Sequence, residues 1–263
     1  MTPSASAPVL ELRNVSKTYG AIQAVSDVSF SVAGGETVAL VGDNGAGKST
    51  LVKIISGTVA ASGGSLLVDG TPVEFRAPAD ARRHGIETVF QDLALIDELD
   101  VAGNLFLGRE ITKGGAIGKF LGVLDLKEMW ARAQGALTDS NLRVPSVKRP
   151  VRSMSGGQRQ ANAIVRTVYW GRKLLLLDEP TAALGVHESE HTLRTIERIR
   201  EKQVPMIVVS HNIQHVFRIS DRILVMRQGR LAATLVTRDS APEEVVAYIT
   251  GAKAAQTNLA FAG

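Results

Sequence analysis

Short apolar runs alternate with polar, glycine-punctuated breaks, and two periods take turns along the chain. Residues 9–15 and 24–32 read as strands, the second with partial alternation at Val25, Val28, Phe30 and Val32. Residues 37–41 form a short apolar strand that runs straight into a glycine-rich turn. A helix over 48–56 follows and Gly57 stops it. Then come a strand over 65–68 closed at Asp69-Gly70, a helix over 79–84 ended by Gly85, and a strand over 86–90.

From residue 91 the pattern changes. Residues 91–160 have few β-branched runs and more helical spacing, most clearly over 126–137, where Met129, Trp130, Ala133 and Leu137 share a face. This stretch is expected to be an inserted helical subdomain. Afterwards helices over 161–170, 188–202 and 214–220 alternate with strands over 173–177, 206–210 and 222–226. Strands alternating with helices predict an α/β fold with a mostly parallel sheet covered on both faces. The expected plan is a flexible N-terminus over 1–8, one domain over 9–251 with its core in 9–90 and 161–251, and a flexible tail over 252–263.

Composition narrows the function classes. Of 263 residues, 44% are hydrophobic and 21% charged, an ordinary balance for a globular protein. The formal charge of +4 fits a solvated surface, and the densest basic cluster is only Arg82-Arg83-His84, so no nucleic-acid partner is expected. Cysteine is absent, which removes disulfide and thiolate chemistry. Residues 1–8 lack the features of a signal peptide, and no apolar run is long enough to span a bilayer. A membrane role would therefore come through a partner.

Two segments carry chemistry by their residue types. Gly42-Asp43-Asn44-Gly45-Ala46-Gly47-Lys48-Ser49 fits the phosphate-binding pattern G-x-x-x-x-G-K-[ST], between a predicted strand and a predicted helix. Its glycines let successive backbone N–H groups converge on phosphate oxygens, and the helix adds its positive end. Lys48 would reach the β- and γ-phosphates and Ser49 would offer its hydroxyl to Mg²⁺, with Thr50 beside it. The second segment is the apolar run Leu174-Leu175-Leu176-Leu177, ending in Asp178-Glu179-Pro180. At the carboxyl edge of a parallel sheet, Asp178 can hold Mg²⁺ through water and Glu179 can act as general base. The plainer alternative is an acidic turn after a core strand, and the neighbouring phosphate loop weakens it.

In order along the chain stand the phosphate loop, Gln91 after a strand, Ser155-Gly156-Gly157-Gln158 before a helix, Asp178-Glu179 after a strand and His211 after a strand. This series resembles the ATP-binding subunits of ABC transporters, over most of the chain. The resemblance implies a P-loop NTPase (RecA-like) core, an N-terminal antiparallel β subdomain and an inserted α-helical subdomain. It implies that Tyr19 stacks on adenine, Gln91 contacts Mg²⁺ and the attacking water, and His211 contacts the γ-phosphate and supports Glu179. Ser155, Gly156, Gly157 and Gln158 would meet ATP held by a second subunit, so the implied unit is a head-to-tail dimer. Their simpler reading is a helix cap at Ser155.

The partners implied are a second copy of the chain, transmembrane permease subunits and, indirectly, a periplasmic binding protein. The implied place is the cytoplasmic face of the inner membrane. Leu93, Leu95, Ile96 and Leu99 are expected to line the permease groove near Gln91. One segment departs from the family. Where it usually reads Ser-Ala-Leu-Asp, this chain has Ala182-Ala183-Leu184-Gly185. That variant, Asp43-Asn44, Glu87-Thr88-Val89-Phe90-Gln91-Asp92 and Asn104-Leu105-Phe106-Leu107-Gly108 resemble the subset serving monosaccharide importers for fructose, ribose or xylose. Amino-acid or lipid transport and a soluble, non-transport ATPase are the alternatives.

Overall fold

The structure is a computed structural model that describes residues 8–90, 92–114, 121–139, 146–171, 173–182 and 184–256. Gln91 and Ala183 lie outside the described residues, as do most of the two termini expected to be flexible.

Two sheets pack around one helix. Strands β1 (Leu10–Tyr19), β2 (Ile22–Val32), β4 (Gly63–Val68) and β5 (Thr71–Val73) form an antiparallel sheet in the order β2-β1-β4-β5. Strands β3 (Thr37–Gly42), β6 (Ile86–Val89), β7 (Leu174–Asp178), β8 (Met206–Val209), β9 (Arg222–Arg227) and β10 (Arg230–Val236) form the second, in the order β10-β9-β3-β8-β7-β6. Its pairings are parallel except β9 with β10. Burial on both faces explains why β3, β7 and β8 read as unbroken apolar runs. Helix α1 (Lys48–Ile55) buries Leu51, Ile54 and Ile55 in one cluster with Leu10, Leu12 and Val28 of the first sheet and Leu40 and Ile207 of the second.

The sheet order positions the chemistry. Strand β8 stands between β3, which enters the glycine loop, and β7, which ends in the acid pair. Leu40 and Asp178 both pair with Val209 of β8, so the three strand ends are level at the carboxyl edge. That edge is where parallel α/β sheets bind ligands.

Helix α2 (Pro78–Arg83) leads into β6, and a second core gathers Val101 and Leu105 of α3 (Val101–Leu105), Phe106, and Met129, Ala133 and Leu137 of α4 (Leu126–Asp139). Trp130 packs at its border, where its indole N–H donates to Asp100 Oδ2 at 2.8 Å. Ala161 and Val165 of α5 (Gly156–Trp170) close this cluster. The other side of α5 sends Ala163 and Ile164 against Leu175 and Leu177 of β7 and Leu193 and Ile196 of α6 (Val186–Glu201). One helix thus links the two cores.

Helix α5 starts at Gly156, ahead of the expected 161, because Ser155 and Gln158 form a reciprocal capping box. Three further elements extend the expected plan. The short edge strand β5 carries Pro72, a residue an edge strand tolerates. Strand β10 returns from β9 through Gln228 (φ 48°) and Gly229 (φ 77°), two left-handed residues that suit a tight hairpin. After α7 (Ile213–Ile219), the last helix among the described residues is α8 (Pro242–Thr250), with proline in its first turn and left-handed Gly251 closing it.

Candidate active site

The loop between β3 and α1 is shaped by close backbone approaches. Gly42 has φ 150°, and a β-carbon there would lie 2.3 Å from the Met226 carbonyl oxygen. Gly47 has φ 100°, and its β-carbon would lie 2.6 Å from the Ala24 carbonyl oxygen. No L side chain fits either position, since backbone cannot step aside as a flexible side chain can. Gly45 (φ 77°) is unobstructed and needs glycine for its backbone angle alone. The Gly229 N–H donates to the Ala46 carbonyl at 3.1 Å and pins the loop to the β9–β10 turn. Between Gly47 and Ser49, α1 opens with no side-chain cap and no acidic residue in its first turn. Its uncapped N–H groups and positive end suit an anion.

Lys48 reaches back over the loop, donating to the carbonyls of Gly42 at 2.7 Å and Asp43 at 3.0 Å. Burial pushes its ammonium below the ordinary lysine value, and the charges of Glu179, Asp43 and Asp178 pull against that. The Asp178 carboxyl is pushed up, by burial first and by the neighbouring Glu179 charge second, with Lys48 and Lys53 opposing. Lys48 and the acid pair therefore share one electrostatic site.

Glu179 has φ 52°, the left-handed region, where a non-glycine residue is strained by about 1–2 kcal/mol. Its N–H donates to Val209 O at 3.0 Å, which holds that backbone against β8. Its Oε2 lies 2.7 Å from His211 Nδ1. Since the carboxylate accepts, Nδ1 carries the proton. Glu179 is mostly buried and His211 mostly exposed, so the pair spans the site's wall and its mouth. Tyr19 ends β1 with its ring exposed and Lys17 Nζ 5.1 Å from the ring centroid.

Ser155 caps α5. Its Oγ accepts the Gln158 N–H at 3.3 Å and Gln158 Oε1 accepts the Ser155 N–H at 3.1 Å. The hydroxyl accepts in this cap, so its own hydrogen remains to donate. Ser155 and Gly156 are exposed. Gly157 is tightly covered, and a β-carbon there would lie 2.6 Å from Glu188 Cγ. The loop, Asp178, Glu179 and His211 come together, whereas the nearest side chains to Gly156 and Gly157 are Leu184 and Glu188.

Residues 25–182 match the family described as ABC transporter. The chain belongs to the ABC transporter family. It is 42% identical over 250 residues to the fructose import ATP-binding protein of Rhizobium meliloti, covering 95% of this chain and 96% of that one. It is 40% identical over 251 residues to the xylose/arabinose import ATP-binding protein of Sulfolobus acidocaldarius, covering 95% and 97%. A dimeric ATP-binding cassette in a post-hydrolysis state with ADP and Pi superimposes with a TM-score of 0.72 at 25% identity, over 87% of this chain and 99% of that one. As an ABC family member, the chain is an ATP-binding and ATP-hydrolysing transport subunit.

The apolar residues after residue 91 of this ABC chain divide, with Ile96 exposed and its neighbours turned inward. Leu93 and Leu95 pack against the internal clusters, because the chain must cover α5 there. Arg166 fixes the stretch by donating to the carbonyls of Ala94 at 2.8 Å and Leu93 at 3.0 Å. The groove alongside, about 550 Å³, is lined instead by Phe90, Leu105, Leu107, Arg109 and Trp170, and from residues 92–100 only Ala94 contributes. Arg109 pairs with Glu87 at 2.5 Å and stacks 4.6 Å from the Trp170 ring. Leu105, Leu107 and Gly108, within the segment that resembles monosaccharide importers, supply one wall.

Gly185 has extended backbone (φ −66°, ψ 170°) and gives α6 no side-chain cap. Only the flexible tip of Glu188 would meet a β-carbon there, so the backbone does not demand glycine. Gly47 is the opposite case. Gly47→Ala should lower the unfolding free energy by about 1–3 kcal/mol and weaken ATP binding at least about tenfold, read by denaturant titration and calorimetry.

Proposed function

We propose that this chain is the ATPase subunit of a monosaccharide importer and works as a head-to-tail dimer on transmembrane permease subunits, at the cytoplasmic face of the inner membrane. The observation that carries this reading is the meeting of Lys48, Asp178 and Glu179 at one carboxyl sheet edge. The cargo class rests on the fructose and xylose/arabinose relatives, which match nearly end to end. A periplasmic sugar-binding protein is the further partner that such an importer needs.

The geometry and the family resemblance support the following roles. Backbone N–H groups of Gly45, Ala46, Gly47 and Lys48 cradle the β-phosphate, Lys48 Nζ turns to the β- and γ-oxygens, and Asp43, Asn44 and Thr50 flank the cradle. Tyr19 offers its exposed ring to adenine. The donor set suits magnesium bound with nucleotide. Ser49 gives a hydroxyl and Asp178 a crowded carboxylate whose raised pKa a cation would relieve. Among the described residues no cluster of three or more His, Cys, Asp or Glu could hold a metal alone, as expected for an ion that keeps waters and takes phosphate oxygens. Bound there, Mg²⁺ would neutralise charge on the β- and γ-phosphates. Gln91 is the further proposed contact to the ion and the water.

Glu179 Oε takes the proton of the attacking water, whose oxygen bonds to the γ-phosphorus as the bond to the leaving ADP oxygen breaks. His211 holds Glu179 through Nδ1 and leaves Nε2 for the γ-phosphate side. Ser155, Gly156, Gly157 and Gln158 complete the partner's site with the Ser155 hydroxyl hydrogen and N–H groups at a helix start. Loss of the γ-phosphate then removes what holds the two chains together. The two cores joined by α5 suit a helical subdomain over 91–160 that transmits this change to the permease through the groove at Leu107 and Trp170.

Glu179→Gln should retain ATP and lower turnover by about 10²–10⁴-fold, and size-exclusion with ATP should show a dimer. Full residual hydrolysis would refute Glu179 as the base. Leu107→Asp, at a half-exposed groove position, should preserve ATP affinity and abolish co-purification with the permease. Unchanged co-purification would place docking elsewhere.

A further inference from the structure

Glu179 and His211 come from the ends of two different strands, and a second imidazole ties those two segments together. His215, in the first turn of α7, has Nδ1 3.2 Å from Thr181 Oγ1, two residues beyond Glu179. Its Nε2 lies 3.3 Å from Nδ2 of Asn212, the residue after His211. The partners fix the protons. Asn212 Oδ1 accepts the His215 backbone N–H at 3.2 Å, so the group facing Nε2 is the amide NH₂, which only donates. Nε2 must therefore accept, and Nδ1 must carry the proton and donate it to Thr181. The neutral Nδ1–H tautomer satisfies both contacts. An imidazolium would set a donor against a donor at Asn212.

We propose that His215 is a positioning residue for ATP hydrolysis, a neutral strut between Thr181 and Asn212 that holds Glu179 and His211 in register. This rests on the assignment of Glu179 and His211 as the hydrolytic pair. The ring is not needed to cap α7, because the Asn212 side chain does that through the His215 backbone N–H. The strut matters more because Gly185 gives the far end of the Thr181 segment no side-chain cap. Two local bonds complete the frame, the Ala182 N–H donating to the Glu179 carbonyl at 3.0 Å and the Asn212 N–H donating to Ser210 Oγ at 3.1 Å.

The surroundings favour the neutral ring. Burial is the first cause that holds His215 below the ordinary histidine value, followed by Arg218 on its own helix and His211 from the β8 end, while Glu190 of α6 opposes them. Arg218 is itself fixed by Glu190 at 2.5 Å and Glu197 at 2.6 Å. The strut is intact above the ordinary histidine pKa of about 6.5 and is lost as pH falls through the lower folded value.

Steady-state ATP hydrolysis by the full chain tests this, measured from about pH 5 to about pH 8 alongside ATP affinity and thermal melting. His215→Ala and Thr181→Val should each lower kcat about tenfold or more and leave KM for ATP within about twofold. His215→Gln, whose amide can both accept and donate but does not titrate, should keep kcat near neutral pH and lose the acid limb of the wild-type profile. Wild-type kcat in Thr181→Val, or the same acid limb in His215→Gln as in the wild type, would overturn the proposal. If His215→Ala does not fold, Thr181→Val and His215→Gln decide it. Glu179→Gln runs beside them. Full turnover there overturns the hydrolytic pair itself, whereas loss there with unchanged Thr181→Val overturns only the strut.

Discussion

Backbone N–H groups can converge on a phosphate only if the chain folds back tightly at the start of a helix, and tight folding demands missing side chains. At Gly42 and Gly47 the neighbouring carbonyls of Met226 and Ala24 come so near that a methyl group has no place. Those carbonyls belong to β9 and β2, so the cradle is moulded by both sheets at once. Helix α1 is buried between them, and its rigidity fixes where Lys48 and Ser49 project. The rest of the site is built outward from that start.

Charge explains why the neighbours are what they are. A half-buried lysine, a crowded aspartate and a strained glutamate would each be costly alone. Together the ammonium and the two carboxylates partly offset one another. On the proposed dimer reading the arrangement is half a site. The Ser155-Gly156 turn is exposed, with Leu184 and Glu188 as the side chains nearest Gly156 and Gly157, which suits a turn presented to a second chain.

Much of this was legible in the residues. Fully apolar runs ending in glycine or acid marked β3 and β7, because a strand buried on both faces has no polar positions to spare. Helix α5 starts five residues before the expected 161 because the Ser155–Gln158 capping box outweighs the poor helix propensity of Gly156 and Gly157. Strand β10 and helix α8 were missed although Gln228-Gly229, Pro242 and Gly251 punctuate them. Leu95 looked like a docking residue, but amphipathic spacing cannot distinguish a groove wall from a core border. The Thr181–His215 contact joins residues 34 apart through a shared wall of the sheet, which no local pattern encodes.

The central claim is that the 42–49 loop binds ATP through Lys48 beside the Asp178–Glu179 pair. Titration calorimetry of ATP with Mg²⁺ against the wild-type chain and Lys48→Ala tests it most directly. The account predicts saturable binding to the wild type and at least about a hundredfold weaker binding to the variant, since a charge-assisted phosphate contact is lost. Equal affinity in both would contradict it.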